Sequence, residues 1–136
     1  MTQQKTELFI KICMKTWLLC ETCVHAEETS TQPRYDLISE CTACARSCFA
    51  LVSKLVAECD MEDMGNMVWD CMIHCRQCAQ ECGKYTDNED LELCADVCEV
   101  CGDSLRELTR FSLNYVKIKN SKVKKCSFFA KNALLN

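Results

Sequence analysis

From Leu91 to Leu108 the apolar positions are Leu91, Cys94, Cys98, Cys101, Leu105 and Leu108, with acids and other polar residues between them. Steps of three and four residues keep these side chains on one face, so the stretch predicts an amphipathic helix. Three upstream stretches share the rhythm. The first runs from about Gln4 to Glu28, with Phe9, Cys13, Trp17, Cys20 and Val24 on one face. The second starts near Arg34 and places Leu37, Cys41, Cys44, Cys48, Val52, Leu55 and Cys59 inward. The third carries Met64, Met67, Cys71, Cys75, Cys78 and Cys82. At ~100° per residue, the four sulfurs of that third stripe fall within roughly 60° of one helix face.

The breaks between stretches are short. Thr29 to Pro33 is a loop ending in the single proline, a turn lies around Asp60, and Gly83 to Asn88 is a loop in which Asp87 or Asn88 can cap the fourth helix. Four helices of this length, each roughly 36 Å long at ~1.5 Å per residue, joined by short connections, predict an all-α fold. The expected architecture is an antiparallel up-down-up-down four-helix bundle with a cysteine-lined core and a basic C-terminal tail. Beyond Phe111 the pattern fits no helix cleanly, and Val116 to Lys125 alternates weakly around Asn120-Ser121. Residues 1–112 therefore read as the bundle and 113–136 as a basic tail, irregular or disordered.

The topology predicts which side chains share a level. Toward the end holding the first and third connections lie Cys20, Cys23, Cys41, Cys44, Cys75, Cys78, Cys82, Cys94 and Cys98. Cys13, Cys48, Cys71 and Cys101 form the middle level. The other end holds Cys59, Met61, Met64 and Met67 with Leu105 and Leu108.

Fifteen of the 136 residues are cysteine, a share that in a small secreted chain means a disulfide scaffold. Here the count is odd and the spacings are intervals within helices. Leu8 to Cys20 is interrupted by Lys11 and Lys15, which makes a poor signal peptide, and no run of eighteen apolar residues is present to span a membrane. These features predict a cytoplasmic protein with reduced thiols, where many cysteines mean metal more often than disulfides.

Charge is divided. Residues 1–107 carry nine Lys or Arg against twenty Asp or Glu, a net of −11, whereas Arg110 and six lysines from Lys117 to Lys131 give the remainder +7. The acidic body argues against nucleic-acid binding. No Ser-His-Asp set, phosphate loop or paired-carboxylate cleft stands out, so the chain reads as a binding protein and not an enzyme.

Residues four apart on a helix have Cβ atoms about 5–6 Å apart, too far for an unstrained disulfide but suited to one ion between two sulfurs. Soft thiolates select Cu(I), zinc or iron–sulfur clusters. Burying many thiolates is costly unless each is neutralised, and a monovalent ion does so one for one. Four thiolates around one zinc leave a double negative charge that a dry core holds poorly. Cys75-x2-Cys78 and Cys98-x2-Cys101 match a zinc ribbon only superficially, because they sit inside helices. Cys41-x2-Cys44-x3-Cys48 lacks the third close cysteine and the proline of a ferredoxin run. The number of aligned thiols implies capacity, and the expected function is storage or buffering of multiple Cu(I) ions. Two alternatives stay open: a zinc-binding or zinc-buffering protein, and a thiol redox protein using a C-x-x-C pair. The predicted ligands are Cys13, Cys20, Cys23, Cys41, Cys44, Cys48, Cys71, Cys75, Cys78, Cys82, Cys94, Cys98 and Cys101. Cys126 lies outside the repeating set.

Three segments carry a resemblance: Cys41-Thr-Ala-Cys44-Ala-Arg-Ser-Cys48, Cys71-Met-Ile-His-Cys75-Arg-Gln-Cys78-Ala-Gln-Glu-Cys82 and Cys94-Ala-Asp-Val-Cys98-Glu-Val-Cys101. Over about residues 8 to 108 the chain resembles the four-helix-bundle copper storage proteins of the cysteine-rich cytosolic type. The resemblance implies Cu(I) sequestration inside the bundle and a homo-oligomer. Copper would come from a copper chaperone or a small-molecule chelator. The chain departs from the pattern at Leu105, where a further cysteine might continue the run, and in the three cysteines of its first helix.

Met61, Met64 and Met67 have two readings, as soft neutral ligands passing copper inward past Cys59 or as core packing. His74 points about 100° off the cysteine stripe and reads as rim. His25 reads as a partner of a helix C-terminus, and Trp17 and Trp69 as packing residues.

Overall fold

The computed structural model describes residues 3–57, 61–85 and 88–119, with side chains at 3–57, 64–85 and 88–108. Four helices make up the order: α1 (Gln3–Glu28), α2 (Tyr35–Val56), α3 (Met61–Cys82) and α4 (Glu89–Lys119). No strand occurs among the described residues.

The helix ends follow local chemistry. Pro33 restricts the chain before α2, and Arg34 at the N-cap is extended (φ −96°, ψ 101°). α4 starts where the Asn88 side-chain oxygen accepts from the backbone N–H groups of Asp90 (3.0 Å) and Leu91 (3.2 Å), satisfying donors that a helix start leaves unpaired. α3 closes with Gly83 N–H donating to the Ala79 carbonyl at 2.9 Å.

At its other end α4 departs from expectation. The bundle was expected to stop at residue 112 with an irregular tail from 113, yet the helix continues to Lys119. Nothing between Leu108 and Lys119 is Gly or Pro, and Leu108, Phe111, Tyr115 and Ile118 keep the three- and four-residue rhythm. Residues 120–136, with Cys126 and the remaining lysines, lie outside the described residues.

Each helix packs on its sequence neighbours, and α1 closes on α4. Sulfur contacts give the direction of α2 against α3: Cys41 meets Cys82 (3.7 Å), Cys44 meets Cys75 (3.7 Å) and Cys48 meets Cys71 (3.5 Å). One series rises as the other falls, so the two helices run antiparallel. α1 and α4 do the same, with Cys20 near Cys98 (3.7 Å) and Cys23 near the Asp90 carbonyl (3.9 Å). At Gly102 the α3 and α4 backbones come close: an added Cβ would touch Cys75 Cβ at 3.6 Å and the Met72 carbonyl oxygen at 3.7 Å.

The buried face of α1 differs from the expected one. It is Cys13, Thr16, Cys20, Cys23 and Glu27, while Phe9, Trp17 and Val24 flank it half-buried. Trp17 packs on Phe49 of α2 with ring centroids 5.3 Å apart. Trp69, read as a packing residue, is 49% exposed. On α2 and α4 the expected inward positions through Leu55 and Leu108 are buried. Cys59 lies outside the described residues.

Candidate metal centre

All thirteen cysteines of the stripes point into the bundle as free thiols, and the most exposed of them, Cys23, shows 5% of its surface. α1 supplies Cys13, Cys20 and Cys23; α2 supplies Cys41, Cys44 and Cys48; α3 supplies Cys71, Cys75, Cys78 and Cys82; α4 supplies Cys94, Cys98 and Cys101. In a bundle built from Leu and Ile these positions would be inert. Here the core is a chain of sulfurs in contact.

The chain can be followed from the end holding the α1–α2 and α3–α4 connections. Cys41 touches Cys78 (3.6 Å) and Cys82 (3.7 Å), and Cys78 touches Cys82 (3.9 Å). One level inward, Cys20 reaches Cys78 (3.8 Å), Cys94 (3.8 Å) and Cys98 (3.7 Å), and Cys44 reaches Cys98 (3.9 Å). Cys20 to Cys78 and Cys44 to Cys98 join diagonally opposite helices across the centre. Further along, Cys48 meets Cys71 and Cys75 (3.9 Å), and Cys101 sits among Cys13, Cys48, Cys71 and Cys75. The levels follow the order expected from the antiparallel topology. Beyond them Leu51, Leu55, Met64, Val68, Leu105 and Leu108 are all 2% exposed or less, so sulfur gives way to hydrocarbon.

Three sets have sulfurs mutually within 4.8 Å: Cys20, Cys44, Cys78 and Cys98; Cys41, Cys78, Cys82 and Cys94; and Cys44, Cys48 and Cys75. Cys78 and Cys44 each belong to two sets, so one thiolate there can serve two ions. Soft, close-set and shared sulfurs are the donor chemistry of a d10 thiolate cluster.

Neighbouring thiols set each other's protonation. Cys44 is pushed below the ordinary thiol value by hydrogen bonding with Cys20, then with Cys48, Cys75 and Cys78, against the cost of burial. Cys94 is lowered in the same way by Cys20, Cys23, Cys41 and Cys78. Cys20 is raised by hydrogen bonding with Cys41, Cys44, Cys78 and Cys94, and by burial.

Other residues singled out from the sequence fall differently. Met64 is 1% exposed and Met67 half-buried against the core; the Met61 side chain lies outside the described ones. His25 is exposed, and its carbonyl accepts from Thr29. His74 is half-buried, with Nδ1 buried and unpaired among the described residues.

Glu27 escaped the sequence reading. It continues the α1 stripe after Cys23 and is 7% exposed. Its Oε1 accepts from Arg34 N (2.8 Å) and Nε (2.7 Å), and Oε2 accepts from Arg34 Nη2 (3.0 Å). Arg34 in turn lies 3.9 Å from the centre of the Tyr85 ring. The group ties α1, the start of α2 and the turn after α3 together over the sulfur-rich end. The three- and four-residue steps through Cys13, Thr16, Cys20, Cys23 and Glu27 were the available signal.

Among the described residues no helix is long and apolar enough to cross a membrane. The family model described as Csp, copper storage protein, matches residues 2–110. Comparison with curated proteins finds no match, and comparison with solved structures finds none.

Proposed function

Because the chain belongs to the copper storage protein family, we propose that it stores multiple Cu(I) ions on the thirteen thiolates of its core and is not an enzyme. The observation that carries this reading is the unbroken run of buried sulfurs, with neighbours at 3.5–4.0 Å from Cys41 to Cys71. Each Cu(I) that binds displaces one thiol proton, so the column stays neutral as it fills. A divalent ion held by four thiolates would accumulate negative charge in the same space. Burial of every stripe thiol also speaks against a redox pair, which needs an exposed, low-pKa sulfur.

In this account residues 1–112 hold the metal and the segment from 113 onward does not. The location is cytoplasmic, the chain self-associates, and copper arrives from a chaperone or a small-molecule chelator. Sharing of sulfurs between ions supplies the test. Cys75→Ser with Cys78→Ser should remove several copper equivalents, because Cys78 belongs to two of the sulfur sets. Cys126→Ser should remove none. Equal losses from both would overturn the assignment.

A further inference from the structure

The outward faces of the bundle are not alike. On α4, the exposed Leu93 and Val100 stand singly among Glu92, Asp96, Glu99 and Asp103, as scattered apolar residues on a solvated surface do. The α1–α2 face is different. Met14 and Leu18 are exposed one turn apart on α1, and Trp17 beside them packs on Phe49 of α2. Leu18 and Phe49 each leave 53% of their surface open, and the exposed Val56 follows Phe49 two turns along α2. Large apolar side chains gathered on one face in this way mark a surface that another protein covers.

The charges on that face choose the partner. Lys11, Met14, Leu18, Glu21, His25 and Glu28 follow one another at three- and four-residue steps and are all exposed, so they form one outer stripe of α1. The stripe changes sign at Leu18. Before it, α1 carries Lys5, Lys11 and Lys15 against Glu7; after it come Glu21 and Glu28, while Glu27 is turned inward onto Arg34. A surface that is basic at one end, apolar in the middle and acidic at the other complements its own copy laid antiparallel, with Leu18 near the two-fold axis. A parallel copy would set lysine on lysine and glutamate on glutamate. Trp17 and Phe49 lie at the level of Leu18, so they too meet their counterparts close to the axis.

Size agrees with charge. α1 has 26 residues and is about 39 Å long at ~1.5 Å per residue, and two neighbouring helices are about 20 Å across. The face therefore offers about 800 Å², the share that each partner gives to a stable interface of standard size. We propose that the α1–α2 face, centred on Leu18 and Phe49, is the interface on which a second copy of this chain docks, its α1 antiparallel to the first. This rests on the self-association in the proposed function and adds its place and its direction. The thiol column lies inside each bundle, so pairing leaves the copper ligands untouched.

The test uses the full chain, reduced and metal-free, in sedimentation equilibrium. Leu18→Glu with Phe49→Glu should halve the mass in solution with the helical circular dichroism and the Cu(I) capacity per chain unchanged. Val100→Glu, the same kind of change on α4, should leave the mass as it is. Lys11→Glu with Lys15→Glu should weaken association by roughly tenfold or more, since acid then meets acid. Adding Glu21→Lys and Glu28→Lys to that chain should restore association, a recovery that damaged folding would not give. Should the Leu18 and Phe49 variant lose helicity, this charge exchange decides. An unsubstituted chain that sediments as a monomer would overturn self-association and the interface together. An assembly that survives Leu18→Glu with Phe49→Glu, or that Val100→Glu splits equally, would overturn this interface and leave self-association standing. No recovery on the four-residue exchange would overturn the antiparallel pairing.

Discussion

Cys48 on α2 and Cys71 on α3 hold their sulfurs 3.5 Å apart, in van der Waals contact and well short of a bond. A contact of this kind shows what the thiols do without metal: they pack. Free cysteine behaves as a small hydrophobe with a weak donor, and the contacts along the column are those of a filled core. The reduced, metal-free chain should therefore already be helical. Circular dichroism checks this, with a full helical spectrum expected before copper and little change after it. A coil that turns helical only on metal binding would mean that metal drives folding.

Glu27 and Arg34 make a second, titratable connection. Donation by the Arg34 side chain lowers the Glu27 carboxyl below its ordinary value of 4.5, with burial acting against it and the Arg34 backbone N–H adding to the lowering. A carboxyl lowered on folding stabilises the fold above its unfolded value, and that contribution is lost as pH falls through the folded value. Because Arg34 is partly open to water, the contribution is about 1 kcal/mol. Glu27→Gln should lower stability by that amount at neutral pH in urea unfolding. At about pH 3 the difference from the unsubstituted chain should shrink. A pH-independent difference would place the effect in packing.

Met64 tests the methionine reading. At 1% exposure it fills the hydrocarbon end of the core beside the α2 and α4 leucines. Met64→Leu keeps volume and apolarity and removes the sulfur, at a stability change of under about 1.5 kcal/mol. Neither the rate of Cu(I) uptake from a chelator nor the final capacity should change. A slower rate at unchanged capacity would restore the thioether as a way-station.

The sequence carried the helices and their inner faces because the three- and four-residue rhythm of Leu91, Cys94, Cys98, Cys101, Leu105 and Leu108 leaves one face to bury, and all six are buried. The levels of the column followed from antiparallel neighbours. What the pattern did not carry is equally specific. Thr16 takes a core position, its hydroxyl donating to the Ile12 carbonyl at 2.8 Å, because a threonine on a helix can satisfy itself locally. Glu27 hid on a core face because its partner lies across a loop, and a single sequence does not show which charges meet in space. The extension of α4 to Lys119 was masked by the β-branched and basic residues near Val116. Which sulfurs form four-membered sets depends on helix rotation to within a few tenths of an ångström, and periodicity alone does not resolve that.

The central claim is capacity for Cu(I), and the most direct measurement is an anaerobic titration of the reduced full chain with Cu(I) in the presence of a competing chelator. If each thiolate is neutralised by one ion, the thirteen stripe cysteines should withhold about thirteen equivalents from the chelator before it begins to fill. Saturation at one or two equivalents, or a chelator that fills from the first addition, would contradict storage in the thiol column.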